Sequence, residues 1–126
     1  MTNFEQMPDA EITRWAAERD GWMVECLKGD RTPYRWLVRQ PERMGVALYK
    51  CGHFTEEDAW KTIAGLSKYA TSADATLALA ERWFCRLESL LLIERAVRKI
   101  SIPTELPREF LNILCAAKEA EEQTDG

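Results

Sequence analysis

The single histidine of the chain, His53, stands two residues after Cys51 and three before the first of the paired carboxylates Glu56 and Glu57. These are the donor types of a zinc or other transition-metal site. The spacing is not that of a zinc finger or ribbon, however, and a second Cys/His pair is missing from the sequence. A Ser-His-Asp or Cys-His arrangement would have to use His53 as its base, and no serine occupies a Gly-x-Ser-x-Gly elbow. The glycines are isolated, so neither a phosphate-cradling loop nor a dinucleotide fingerprint is present. Glu56, Glu57 and Asp58 read as the solvated first turn of a helix capped by Thr55, where acids face the positive end of the helix dipole. The expectation is a protein that is not an enzyme, with no catalytic residue, metal set or cofactor.

A second cluster concerns binding. Arg31, Arg35, Arg39 and Arg43 interleave with Tyr34 and Trp36, a pattern that in a nucleic-acid-binding strand would pair phosphate contacts with base stacking. On an alternating strand, Arg35 and Arg39 share the face opposite the two aromatics, so the contacts would not converge. Nucleic acid is therefore the alternative partner. Trp15, Trp22, Trp36, Trp60 and Trp83 make five tryptophans in 126 residues, and an exposed one beside Arg35 or Arg39 would suit a protein-protein hot spot. The candidate partner surface is Trp22, Tyr34, Arg35, Trp36, Arg39 and Tyr49. Against it stands the plainer assignment of the tryptophans to a partly buried core.

Composition bounds these readings. With 46% hydrophobic and 30% charged residues, the chain reads as one globular domain over 1–126 with polar ends at about 1–8 and 120–126. A net charge of −4 lacks both the basic footprint of a dedicated nucleic-acid binder and the dense acidity of a DNA mimic. Cys26, Cys51, Cys85 and Cys115 contain no Cys-x-x-Cys, and the first residues lack the basic and apolar regions of a secretory signal. That predicts a reducing, cytoplasmic setting with the cysteines buried as small hydrophobes. The longest apolar run, Leu90-Leu91-Leu92-Ile93, stops at Glu94, which excludes a membrane-spanning helix.

The elements that must position these residues are legible in turn. Asp9 caps a helix through Glu18 with Ile12, Trp15 and Ala16 on one side, ended by Gly21. Residues 22–27 and 34–40 alternate around the turn residues 28–33, and Val46–Cys51 supplies a third strand of an antiparallel meander. A helix from Thr55 stops at Gly65. Thr71 and Asp74 have the spacing of a capping box, opening a helix whose apolar face is Ala73, Leu77, Ala80, Phe84, Leu87 and Leu91. Residues 85–102 fit either the continuation of that helix or a strand pair. A closing helix begins near Thr104, tolerates Pro107 in its first turn and buries Phe110, Leu111, Leu114 and Cys115. The fold class is α+β: an antiparallel sheet of three or more strands packed with about four helices, or else a mostly α chain with a three-stranded meander.

Three stretches are similar to one known group. Asp9–Trp22 resembles the opening helix and Gly-Trp strand start of the phage ABA-sandwich family. Leu66–Glu81 resembles its Pro-x-Tyr-Ser-Thr-Asp helix entry, with Ser67 where proline is common, and Pro103–Lys118 resembles its closing helix. The resemblance implies a sheet packed with helices and a strand pair over 85–102 that extends the meander. The sequence departs there, because Leu90–Glu94 lacks the usual glycine and aromatic residues. It further implies a non-enzymatic phage or prophage accessory protein that binds a host or phage protein in the bacterial cytoplasm. An inhibitor of a bacterial defence complex, such as an anti-CRISPR protein, is one such role. No catalytic residues carry over from a family without an established activity.

Overall fold

A computed structural model of the chain describes residues 2–29, 32–41, 49–53 and 55–124; within 27–35 and 49–53 only the backbone is described. These residues form α1 (Asp9–Asp20), β1 (Met23–Gly29), β2 (Thr32–Arg39), β3 (Tyr49–His53), α2 (Glu56–Ser67), α3 (Ala73–Trp83), α4 (Arg86–Lys99) and α5 (Leu106–Thr124). Short 3-10 turns occupy Phe4–Gln6 and Pro103–Glu105. The chain is α+β with helix predominating. It divides into two compact units, Arg14–Ser67 and Met1–Thr13 with Lys68–Gly126, the division falling inside α1.

In the unit Arg14–Ser67, α1 ends in a Schellman motif. Gly21 takes φ 104, and the Trp22 N–H donates to the Ala17 carbonyl at 3.0 Å, an arrangement that glycine adopts without a Cβ penalty. The chain then enters an antiparallel hairpin that pairs Val24 with Val38, Glu25 with Leu37 and Cys26 with Trp36, with a register shift between Leu27 and Gly29. Both strands run into the stretch expected as a turn. β3 pairs along β2, giving the order β1-β2-β3. The expected third strand began at Val46, and residues 42–48 lie outside the described residues. Leu37 and Val38 are both buried although they point to opposite faces, and α2 packs on the sheet with Ala59 and Ile63 buried. Thr55 caps α2, its Oγ1 accepting from the Asp58 N–H at 3.2 Å. The helix runs past Gly65 to Ser67, because the left-handed residue that ends it is Lys68, with φ 57.

In the other unit, α5 is the hub. Phe110 to Cys115 are buried without interruption, so this helix is apolar nearly all round at its centre, and α3, α4 and both 3-10 turns contact it. Arg108 fastens the N-terminal segment to it. Its guanidinium donates to the carbonyl of Phe4 at 2.8 Å and to that of Met7, pairs with Asp9, and donates through Nε to Asn112 at 2.8 Å.

Two expectations are corrected in this unit. The helix cap is Ser72, not Thr71: Ser72 Oγ accepts from the Ala75 N–H at 3.3 Å, which leaves Asp74 one position early for a capping box. The long helix through Leu91 is two helices, broken at Phe84 and Cys85, and α4 over Arg86–Lys99 excludes the strand pair. The cause lies in which side each helix buries. α3 buries Thr76, Leu79 and Ala80, and α4 buries Ser89 and Ala96. In one straight helix, nine residues turn the chain by about 900°, which puts Ala80 and Ser89 on opposite sides. The break lets both face α5. Cys85 caps the new helix, its Sγ accepting from the Glu88 N–H at 3.5 Å and its carbonyl from the Ser89 hydroxyl at 3.0 Å.

Candidate protein-binding surface

Of the six residues expected to form a partner surface on the sheet, the side chains of Trp22, Trp36 and Arg39 are described, and none of the three is fully exposed. Trp22 is only 4% exposed, held at the helix-to-strand junction by the Schellman hydrogen bond, so it cannot serve as a partner contact. Trp36 is half-buried, and Arg39, also half-buried, lies 3.7 Å from Glu25 on the neighbouring strand. The side chains of Tyr34, Arg35 and Tyr49 lie outside the described residues, as do those of Cys51 and His53 and all of Arg31 and Arg43.

The other tryptophans are half-buried and shielded by cations. The Arg19 guanidinium lies 3.5 Å from the Trp15 ring centre, Arg14 lies 4.7 Å from that of Trp60, and the Lys118 ammonium lies 5.6 Å from that of Trp83. Arg14 also bonds Glu18 at 3.0 Å and Glu56 at 3.2 Å, while Trp60 Nε1 donates to the same Glu56 oxygen at 3.3 Å. Rings covered in this way offer a partner less surface than their number suggests. The cysteines depart from expectation as well: Cys115 is buried, but Cys26 and Cys85 are exposed. Among the described residues, no cluster of three His, Cys, Asp or Glu side chains could hold a metal ion.

The exposed apolar surface is concentrated elsewhere, on α4. Leu87, Leu90, Leu91 and Val97 are 68%, 51%, 55% and 50% exposed. Their spacing places them within about 120° of the helix circumference, which is the width of an ordinary buried stripe. The core side of the same helix carries Ser89 and Ala96, fully buried, with Leu92 and Ile93 at its margins. The helix thus has two apolar faces, one used and one open. Within the open face, Arg98 donates to Glu94 at 2.6 Å. Arg86 and Arg95, both exposed, flank the stripe on opposite sides. An exposed aliphatic stripe interrupted only by the Glu94–Arg98 pair and bordered by Arg86 and Arg95 has the form of a protein-binding surface.

Beside Arg95 the surface falls into a cleft of about 460 Å³ between the N-terminal segment, α4 and α5. Phe4, Ile113, Ala116 and Ala117 supply apolar walls, and Arg95 and Lys99 stand at its α4 side. Helical spacing brings Leu87 and Leu91 onto one apolar face but does not show whether that face is covered. The missed signal was that 86–99 carries two apolar stripes, one more than a core needs.

Comparison of the chain with protein-family models, with curated proteins and with solved structures gave no match. No described helix is long and apolar enough to cross a membrane.

Proposed function

We propose that this chain is a non-enzymatic accessory module that binds another protein through the leucine face of α4. The observation that carries the reading is the exposure of Leu87, Leu90, Leu91 and Val97 on one side of a helix whose opposite side is packed. Leaving that much aliphatic surface in water forgoes roughly 25 cal/mol per Å² that burial would return, and proteins tolerate this where a partner supplies the burial. The likeness of 9–22, 66–81 and 103–118 to phage ABA-sandwich proteins supports a phage or prophage setting. In that setting the partner is a host protein of the bacterial cytoplasm, with a defence complex such as a CRISPR effector the leading target.

The test is affinity capture from bacterial lysate at moderate salt, using the full chain and its Leu87→Gln/Leu91→Gln variant as paired baits. A protein retained by the first and lost from the second is the expected result. The same proteins on both baits would overturn the reading. Retention of nucleic acid that salt releases would favour the alternative of nucleic-acid binding through Arg31, Arg35, Arg39 and Arg43.

A further inference from the structure

We infer that the occupant of the α4 face is an acidic amphipathic helix of the partner, seated by its apolar stripe on Leu87, Leu90, Leu91 and Val97 with its carboxylates directed at Arg86 and Arg95. This rests on the docking assignment above and adds the chemistry of the partner. Charge is the first ground. α4 holds four basic residues (Arg86, Arg95, Arg98, Lys99) against two acids (Glu88, Glu94), a net +2 in a chain whose net charge is −4. Two of the four cations are already engaged: Arg98 with Glu94, and Lys99 with Glu5 at 3.5 Å and Glu109 at 3.7 Å. Arg86 and Arg95 make no ion pair or hydrogen bond with the described residues, and they border the stripe on its two sides. A helix with acids on both margins of its apolar stripe would meet both guanidiniums, as flanking charges do in paired helices.

The same geometry weighs against the other occupants. A second copy would bring a like net charge of −4. An antiparallel two-fold pairing of α4 would also set Arg86 near Arg98 and Lys99 of the other copy. Four half-exposed aliphatic side chains present on the order of a few hundred Å² per copy, against the roughly 800 Å² that each partner buries in a stable interface. An anionic bilayer would suit the arginines, but the Glu94–Arg98 pair lies mid-stripe and would have to enter the acyl region, where ionised groups are costly. A protein helix can leave that pair hydrated or hydrogen-bond to it. The adjoining cleft, at about 460 Å³ with apolar walls, has room for an aromatic anchor side chain projecting from such a helix.

The experiment is selection of binders to the full chain from a yeast-displayed library of amphipathic 18-residue helices with randomised flanking positions. The expected result is enrichment of Asp and Glu at the flanks. The selected peptides should lose at least about tenfold in affinity against Arg86→Glu/Arg95→Glu and should lose binding to Leu87→Gln/Leu91→Gln. Binders that need Leu87 and Leu91 but show no excess of acids would overturn the acidic partner while leaving the docking face standing. Selection that yields no leucine-dependent binder would overturn both. So would leucine-dependent self-association at micromolar concentration, or leucine-dependent binding to phosphatidylglycerol vesicles, each of which would assign the face to a different occupant.

Discussion

α5 and α4 lie side by side and are both rich in leucine, yet they spend their apolar residues differently. α5 buries Phe110, Leu111, Ile113, Leu114 and Cys115. α4 buries Ser89 and Ala96 and turns Leu87, Leu90, Leu91 and Val97 to solvent. Close approach of two helices favours small residues on at least one side of the contact, and α5 already supplies the bulk. The lesson is that in a closely packed pair the residues at the contact need not be the most hydrophobic ones available. The leucines left outside are then free for another use.

The contrast can be broken by substitution, and four effects of decreasing size are expected on stability. Leu111→Ala, at a fully buried position in the centre of α5, should cost about 3 kcal/mol in a chemical denaturation series, from lost transfer energy and the cavity left behind. Arg108→Ala should cost about 2 kcal/mol, because it leaves the Phe4 and Met7 carbonyls without their charged donor, and the N-terminal amides should lose protection from hydrogen exchange. Ala96→Leu, which forces bulk into the α4–α5 contact, should cost about 1 to 2 kcal/mol even though it makes the helix more apolar. Leu91→Gln should change stability by no more than about 0.5 kcal/mol. A cost near that of Leu111→Ala would show that the α4 leucines serve the fold rather than a partner.

Much of the fold was legible in the sequence. The closing helix announced itself because Phe110, Leu111, Leu114 and Cys115 are apolar at helical spacing. The β1-β2 hairpin followed from alternation around Gly29 to Pro33. The capping position between Lys68 and Ala73 was placed one residue early, since Thr71 and Ser72 are chemically equivalent caps and only the backbone angles separate them.

The exposed stripe of α4 was not legible in the sequence for a deeper reason. Periodicity identifies a stripe but not what faces it, and Leu87 and Leu91 continue the spacing of Ala73, Leu77 and Ala80 as if the helix were unbroken. The break at Phe84–Cys85 contains neither glycine nor proline, so no local residue signals it. Trp22 misled in the opposite direction: its type suggested an interface anchor, whereas the turn at Gly21 carries it into the interior.

Calorimetric titration of the purified captured partner into the wild-type chain and into Leu87→Gln/Leu91→Gln separates the two uses of α4 most directly. An affinity lower by roughly hundredfold or more in the variant, whose unfolding midpoint stays near that of the wild type, is the outcome expected if the two leucines are buried by the partner. Equal affinity for the two proteins would contradict it.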